Sequence, residues 1–385
     1  MKVNVNVQNV CVPDKDYRGI PYYTTEVLRA LVSRNRNQYS VSFFDFNKER
    51  GNRQYINKYF VDFLDRLEIH ECNELNFMNV FKGIETKDPS LYDQKSYGEY
   101  VSDSPDVYFF PYSGHVPENI TDGRVVVTVH DIIPYLEEAK KTLAKYEIDR
   151  FKNSLDYIAS REDYKIVAIS EYTKADLVNI VGIKPERISV VPNAYNSKLY
   201  FNQKDPEVLK KFGITKPFIL YLGALSPRKG ITTLLESMRF VKEKDFQIVL
   251  AGAPTKYMDV NEIISRSERK DDFILTGYVT DEEKRVLLSS AEIFVFPSVY
   301  EGFGLPVLEA MACGTPVITT TATSLPEVAG DAAVYITPND HEGLAHKIDM
   351  FLRSETMRKE YEESGLKRAS DFSWDRTAEM MESVF

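Results

Sequence analysis

Hydrophobic and polar positions follow two alternating rhythms along this chain. Short runs rich in Val, Ile, Phe and Tyr recur between longer stretches whose apolar residues return every third or fourth position. That alternation predicts parallel sheets joined by crossover helices. In the first half it predicts strands at Val3–Val7, Tyr39–Phe46, Asp106–Phe110, Arg124–Val129, Lys165–Ile169 and Ile188–Val191, and helices over Tyr22–Ser33 and Glu171–Ile180. The segment from Asn47 to Ser104 is polar and aromatic with weak periodicity, and reads only as partly helical. A turn at Pro192-Asn193-Ala194-Tyr195-Asn196 and a polar stretch up to Lys216 interrupt the pattern, which then restarts. The second half predicts strands at Phe218–Leu222, Gln247–Ala251, Phe273–Thr276, Ile293–Phe296 and Pro316–Thr319. Its helices are predicted at Ile231–Val241, Asp281–Ser289 and Leu305–Ala312, with three more around His341–Arg353, Thr356–Ser370 and Trp374–Val384. The expectation is an α/β chain of two open sheets joined near residue 200. Ligands of such sheets sit at the carboxyl ends of the strands, so the cleft between the two sheets is the expected site.

Composition narrows the function classes. A chain of 385 residues is too long for one ordinary core and suits two domains. The net charge of −10 argues against a nucleic-acid binder. The three cysteines, Cys11, Cys72 and Cys313, are far apart and show no zinc spacing, so they read as reduced thiols of a cytoplasmic protein. Met1 to Val7 alternates polar and apolar residues and reads as a first strand, not a signal peptide. No run reaches the roughly 18–20 apolar residues of a membrane span. The expected localisation is cytoplasmic, with peripheral contact at the inner face of a membrane left open.

Two segments of the second half carry chemistry. Glu301-Gly302-Phe303-Gly304-Leu305-Pro306-Val307-Leu308-Glu309 follows an apolar strand. Its glycines let the backbone approach a ligand, and Pro306 suits a first helical turn. The free amides of that turn, with the helix dipole, can hold a phosphate. A plain strand–helix turn carrying two solvated glutamates is the bland alternative. Tyr221-Leu222-Gly223-Ala224-Leu225-Ser226-Pro227-Arg228-Lys229-Gly230 sets two adjacent cations after another strand. They can neutralise a diphosphate leaving group as its charge develops, or simply form a solvated basic turn. In the first half, Val125–Val129 leads into His130-Asp131-Ile132-Ile133-Pro134, where His130 is either a site residue or a packing residue. Tyr17-Arg18-Gly19 precedes the first helix, and Ser170 is a good N-cap for the helix that starts at Glu171.

Together these residues resemble glycosyltransferase family 4, the retaining glycosyl transferases group 1 of the GT-B fold. The resemblance rests on Glu301-x7-Glu309, on Pro227-Arg228-Lys229-Gly230, on Ala310-Met311-Ala312-Cys313-Gly314-Thr315-Pro316 and on Ser324-Leu325-Pro326-Glu327. His130-Asp131-x-x-Pro134 and Pro192-Asn193 add to it. It implies two Rossmann-like domains facing across a cleft: residues 1–200 for the acceptor, 201–370 for the nucleotide-sugar, and a final helix over 371–385 packing back on the first domain, with Trp374 as its anchor. It implies that Glu301 and His130 hold the sugar, that Arg228 and Lys229 hold the diphosphate with the Gly304–Leu305 amides and Pro306, and that Glu309 binds the ribose. Tyr278 and Val279 are implied to touch the base, and Gly19 the donor phosphates or the acceptor. Ala224 stands where many relatives have Arg, and Ala194 where they have Gly.

The function so implied is retaining, metal-independent transfer of a hexosyl unit, mannosyl-like by slight preference, from a GDP- or UDP-linked donor. The acceptor is a saccharide or lipid-linked saccharide of bacterial surface polysaccharide assembly, with no other cofactor and no nucleic-acid partner. Asp14-Lys15-Asp16 is a DxD string that suits a metal-dependent transferase of the other major fold, but it sits in a polar loop after the first strand and before Gly19. A nicotinamide dehydrogenase needs GxGxxG after the first strand, and Gln8-Asn9-Val10-Cys11-Val12-Pro13 lacks it. A non-catalytic partner protein of the same fold, or a phosphorylase or nucleotide-sugar epimerase, remains as an alternative.

Overall fold

The computed structural model describes residues 1–11, 19–44, 52–72, 97, 101, 104–117, 120–137, 139, 143–255 and 258–385. Asp14-Lys15-Asp16, Tyr17-Arg18, the end of the second predicted strand at Phe46 and much of the Asn47–Ser104 segment lie outside them. The chain forms two compact units, Met1–Asn193 with Trp374–Phe385, and Ala194–Ser373.

The first unit holds β1 (Lys2–Asn6), β2 (Gln38–Phe44), β3 (Glu68–Cys72), β4 (Val107–Phe110), β5 (Arg124–Val129), β6 (Lys165–Ala168) and β7 (Ile188–Val190). Their order is β3-β2-β1-β4-β5-β6-β7, and every pair is parallel. All of β4, and β5 from Val125 onward, is buried, which is why these strands read as unbroken apolar runs. The helices are α1 (Ile20–Arg34), α2 (Asn52–Tyr59), α3 (Lys145–Ser160) and α4 (Glu171–Asp176). Two of these elements were not expected. β3 reads Glu-Ile-His-Glu-Cys, a weak strand former, and becomes a strand through its pairing with β2 at the sheet edge. α3 buries Ile148, Leu155 and Ile158 along one stripe. The predicted helix Glu171–Ile180 is divided. Its first part starts at Ser170, whose hydroxyl accepts from the Thr173 amide at 3.0 Å, and a π turn over Leu177–Val181 replaces the rest before Gly182 at φ 82°.

The second unit holds β8 (Phe218–Leu222), β9 (Gln247–Ala251), β10 (Phe273–Gly277), β11 (Ile293–Phe296), β12 (Val317–Thr320) and β13 (Ala333–Ile336), in the order β10-β9-β8-β11-β12-β13 and again all parallel. β13, an unpredicted four-residue edge strand, is set by its pairing with β12. Its helices are α5 (Pro206–Lys211), α6 (Ile231–Ser237), α7 (Val260–Ser265), α8 (Asp281–Ser290), α9 (Leu305–Ala312), α10 (Leu325–Ala329), α11 (His341–Arg353) and α12 (Glu355–Ala369). α6 ends at Ser237, short of the expected Val241; the Ser237 hydroxyl bonds back to the Leu234 carbonyl, a side-chain competitor of the helical ladder. Alternate residues Ile219, Tyr221, Ile248, Leu250, Ile293 and Val295 share one core cluster with Leu234, Ile348 and Phe351.

The last helix, α13 (Trp374–Val384), belongs to the first unit and packs along α1. Arg34 of α1 pairs with Asp375 at 2.8 Å and Glu382 at 2.9 Å, while Trp374 meets Tyr22 and Tyr23 edge-on at centroid distances of 6.1 and 6.0 Å. Among the described residues no helix is long and apolar enough to cross a membrane.

Each sheet reverses its strand order once, between β1 and β4 and between β8 and β11. In open parallel sheets the reversal point, at the carboxyl ends of the strands, is the usual ligand position.

Candidate functional site

β8 and β11 flank the reversal point of the second sheet, and the two motifs of that half leave from their ends. The loop after β8 closes in a short 3-10 turn over Pro227–Lys229 that ends on Gly230 at φ 73°. A Cβ on Gly230 would lie 1.8 Å from the Pro297 carbonyl oxygen, so only glycine lets this loop pass against the residue that follows β11. That approach places both cations on the Glu301 loop. Arg228 Nη1 donates to the Tyr300 carbonyl at 2.8 Å, and the Val299 amide donates back to the Arg228 carbonyl at 3.0 Å. Lys229 Nζ contacts both carboxylate oxygens of Glu301, at 2.6 and 2.8 Å, and lies 5.5 Å from the Phe296 ring centroid. The Ser298 hydroxyl donates to Glu301 Oε1 at 2.6 Å. Tyr221 lies buried beneath; burial first and the Glu301 charge second push its phenol well above the usual range, against Arg228. It therefore stays protonated and donates to the Ala224 carbonyl at 2.8 Å.

The same loop runs into α9. Gly304, at φ 114°, caps that helix without a side-chain cap, with Leu305 and Pro306 partly exposed in the first turn. A helix start of this kind favours an anion. Glu309, one turn further, is 5% exposed, and its Oε2 lies 2.6 Å from Lys284 Nζ of α8. The Lys284 ammonium also lies 4.8 Å from the Tyr200 ring centroid. Burial pushes the Glu309 carboxyl above the ordinary range; Lys284 pulls it down, Asp281 pushes it up, and the Tyr200 hydroxyl pulls it down. Neither glutamate of the motif is therefore a solvated surface carboxylate. Tyr278 and Val279 follow the end of β10, with Tyr278 exposed and Val279 half-buried.

The residues predicted in the first half lie on the first unit. His130 follows β5, and its Nε2 lies 2.8 Å from the carbonyl of Pro111, which follows β4. A carbonyl only accepts, so Nε2 carries the hydrogen and the neutral ring keeps Nδ1 as an acceptor. Burial pulls the His130 pKa down to about 4, against the Pro111 bond, and the Tyr23 ring meets it edge-on at 4.7 Å. Asp131 accepts from the Ile133 amide at 2.9 Å and so shapes the following turn. Gly19 precedes α1 at φ 56°, with open space where a Cβ would be.

Lys284, Ser298, Thr323 and Ser324 belong to this geometry but were not singled out as site residues. Lys284 reads as one charge of a solvated helix, and the other three are small polar residues in turns; only folding brings them to the two glutamates. The Glu301 amide donates to Thr323 Oγ1 at 3.0 Å, and the Ser324 hydroxyl reaches the Glu301 and Phe303 carbonyls at 3.0 and 2.8 Å.

Known proteins align with this arrangement. The family model described as Glycosyl transferases group 1 matches residues 204–368, and the model described as Glycosyltransferase Family 4 matches residues 105–199. The O-antigen chain mannosyltransferase B of Escherichia coli is 31% identical over 291 residues, 73% of this chain and 72% of that protein. The serotype-specific mannosyltransferase WbdA of Escherichia coli is 27% identical over 280 residues, which cover 70% of this chain but only 34% of WbdA. The crystal structure of Anabaena Alr3699/HepE in complex with UDP-glucose superposes with a TM-score of 0.72 at 17% identity, over 100% of this chain and 99% of that one. That likeness shows a shared fold, the GT-B fold with two Rossmann-like domains.

Proposed function

The chain is a glycosyltransferase and belongs to glycosyltransferase family 4; from that premise we propose that it moves a mannosyl-like hexosyl unit from a GDP- or UDP-linked donor to a saccharide or lipid-linked saccharide acceptor in bacterial surface polysaccharide assembly, with retention and without a metal ion. The observation that carries the donor site is the convergence of Arg228, Lys229, Glu301 and the start of α9 on the strand-order reversal of the second sheet. The mannosyl preference and the polysaccharide context rest on the names of the Escherichia coli relatives.

In this mechanism the bond between the anomeric carbon and the diphosphate oxygen breaks, and its electron pair stays on the diphosphate. Arg228, Lys229 and the first amides of α9 neutralise that charge as it develops, which is electrostatic stabilisation without a bound cation. The acceptor oxygen forms the new bond on the same face of the sugar and passes its proton to a phosphate oxygen of the leaving group. Glu301 holds the sugar and Glu309 the ribose, while Tyr278 and Val279 lie by the base. His130 and Gly19, on the first domain, take the sugar- and acceptor-side roles implied by the family resemblance. Retention has the same basis.

The test is thermal unfolding with GDP, UDP, dTDP and ADP, then with the sugar conjugates of whichever nucleotide binds. Ligand at 100 times its dissociation constant stabilises by about 2.7 kcal/mol, a shift of several degrees. The expected result is a shift with one nucleotide, lost in Glu309→Ala and Arg228→Ala, followed by transfer that survives chelation and retains the anomeric configuration. No shift with any nucleotide would overturn the donor site.

A further inference from the structure

The turn between β12 and α10 of the second domain holds its backbone in an unusual conformation. Among the described residues, four other than glycine have positive φ: Asn35, Ser104, Thr323 and Asn339. Asparagine tolerates this region, but a β-branched residue does so only under strain, and Thr323 sits at φ 52°. Strain of this kind persists where the surroundings over-determine it, and such outliers gather at functional sites.

The surroundings of Thr323 are the sugar-side loop itself. Its Oγ1 accepts from the Glu301 amide at 3.0 Å. The next residue, Ser324, is fully buried, and its single hydroxyl bridges the carbonyls of Glu301 and Phe303. The main chain of Glu301 is therefore held on its amide and its carbonyl by two consecutive residues of another loop. Its side chain is held separately, by Lys229 and Ser298. A Cβ on Gly304 would meet Leu325 Cδ2 at 2.8 Å, so the start of α9 is pressed against the same turn.

We propose that Thr323 is a positioning residue for the transfer reaction: its left-handed backbone aims a hydroxyl that fixes the Glu301 main chain, and Ser324 completes the clip. The inference rests on the donor-site reading above and extends it to a residue that touches no reacting atom. Thr323 acts on the sugar end of the site, so it governs turnover and leaves nucleotide affinity, which rests on Glu309, Arg228 and Lys229, unaffected.

The experiment compares Thr323→Gly, Thr323→Ser and the parent chain by melting temperature, nucleotide affinity, amide hydrogen exchange across Glu301–Gly304, and steady-state kinetics with the nucleotide-sugar that binds. Glycine relieves the backbone strain but removes the hydroxyl. Thr323→Gly is therefore expected to melt no lower than the parent, to bind nucleotide equally well, to exchange the Glu301 amide faster, and to lose roughly 10- to 100-fold in kcat, the scale of a small misplacement of reacting groups. Thr323→Ser restores the hydroxyl and is expected to recover both slow exchange and most of kcat. Parent-like kcat in Thr323→Gly, or a serine variant as impaired as the glycine variant, overturns the proposal. Parental chain that binds no nucleotide overturns the donor-site reading instead, and the exchange data then still decide whether Thr323 holds the Glu301 loop.

Discussion

Lys229 Nζ sits between the two carboxylate oxygens of Glu301, at 2.6 and 2.8 Å, although the residues are 72 positions apart. The side chains are only 19% and 10% exposed, so each charge depends on the other. Removing one partner of a buried pair costs up to about 3–5 kcal/mol, whereas neutralising both costs far less. Lys229→Met is expected to lower the melting temperature and abolish transfer. Lys229→Met with Glu301→Gln is expected to regain most of the stability while staying inactive. A double variant as unstable as the single would show that the charge pairing is not what holds these loops.

The Glu309 carboxyl titrates above its ordinary value because it is buried, with Lys284 opposing. A carboxyl that holds its proton longer in the folded state than in the unfolded one contributes most stability at low pH, and that contribution falls as pH rises between the two pKa values. Removing Lys284 takes away the largest lowering influence, so Lys284→Met moves the titration further upward. Nucleotide affinity of that variant is expected to drop by about 1.5–3 kcal/mol, the worth of a hydrogen bond to a charged group, and to recover as pH is raised. Calorimetric titration at several pH values decides this; a flat profile equal to the parent's would remove Lys284 from the site.

His130 titrates in the opposite sense. Its pKa falls from 6.5 to about 4 on folding, so the unfolded chain takes up a proton first as pH falls. The neutral ring contributes stability that is full above 6.5 and is lost progressively toward 4, at most roughly 3 kcal/mol. Denaturant unfolding of the parent and of His130→Gln across this range is expected to show a steeper loss of stability toward low pH in the parent than in the variant. The same variant is expected to be impaired in transfer at pH 7, with nucleotide binding intact.

Gly230 and Gly213 share a φ of 73° but differ in their surroundings. A Cβ on Gly213 meets nothing within 4 Å, whereas one on Gly230 would lie 1.8 Å from a backbone oxygen. Gly213→Ala is expected to cost only the left-handed penalty, roughly 1–2 kcal/mol. Gly230→Ala must also push the Arg228–Lys229 turn off the Glu301 loop, and is expected to lose nucleotide-induced stabilisation in the same thermal assay. Equal effects of the two substitutions would show that the close approach is not required.

Much of this protein was legible in one dimension. β5, β8, β9, β11, α9, α11 and α13 lie where their apolar periods place them, because a strand buried on both faces and a helix buried along one stripe leave different local records. The motif glutamates, the paired cations and the strand-end histidine could be picked out as candidates too, because they lie in segments that follow strands, where open parallel sheets usually bind ligands. β3 and β13 were not, because an edge strand of weak propensity exists through its neighbour. Nor was the division of Glu171–Ile180 by a π turn. The partnerships were decided only by tertiary structure: Lys229 with Glu301, Lys284 with Glu309, Thr323 with the Glu301 amide, and Arg34 with Glu382. Each joins residues far apart in the chain, or on separate elements, through contacts of about 3 Å. Spacing along the sequence does not encode such contacts, because they depend on how strands and helices pack in three dimensions.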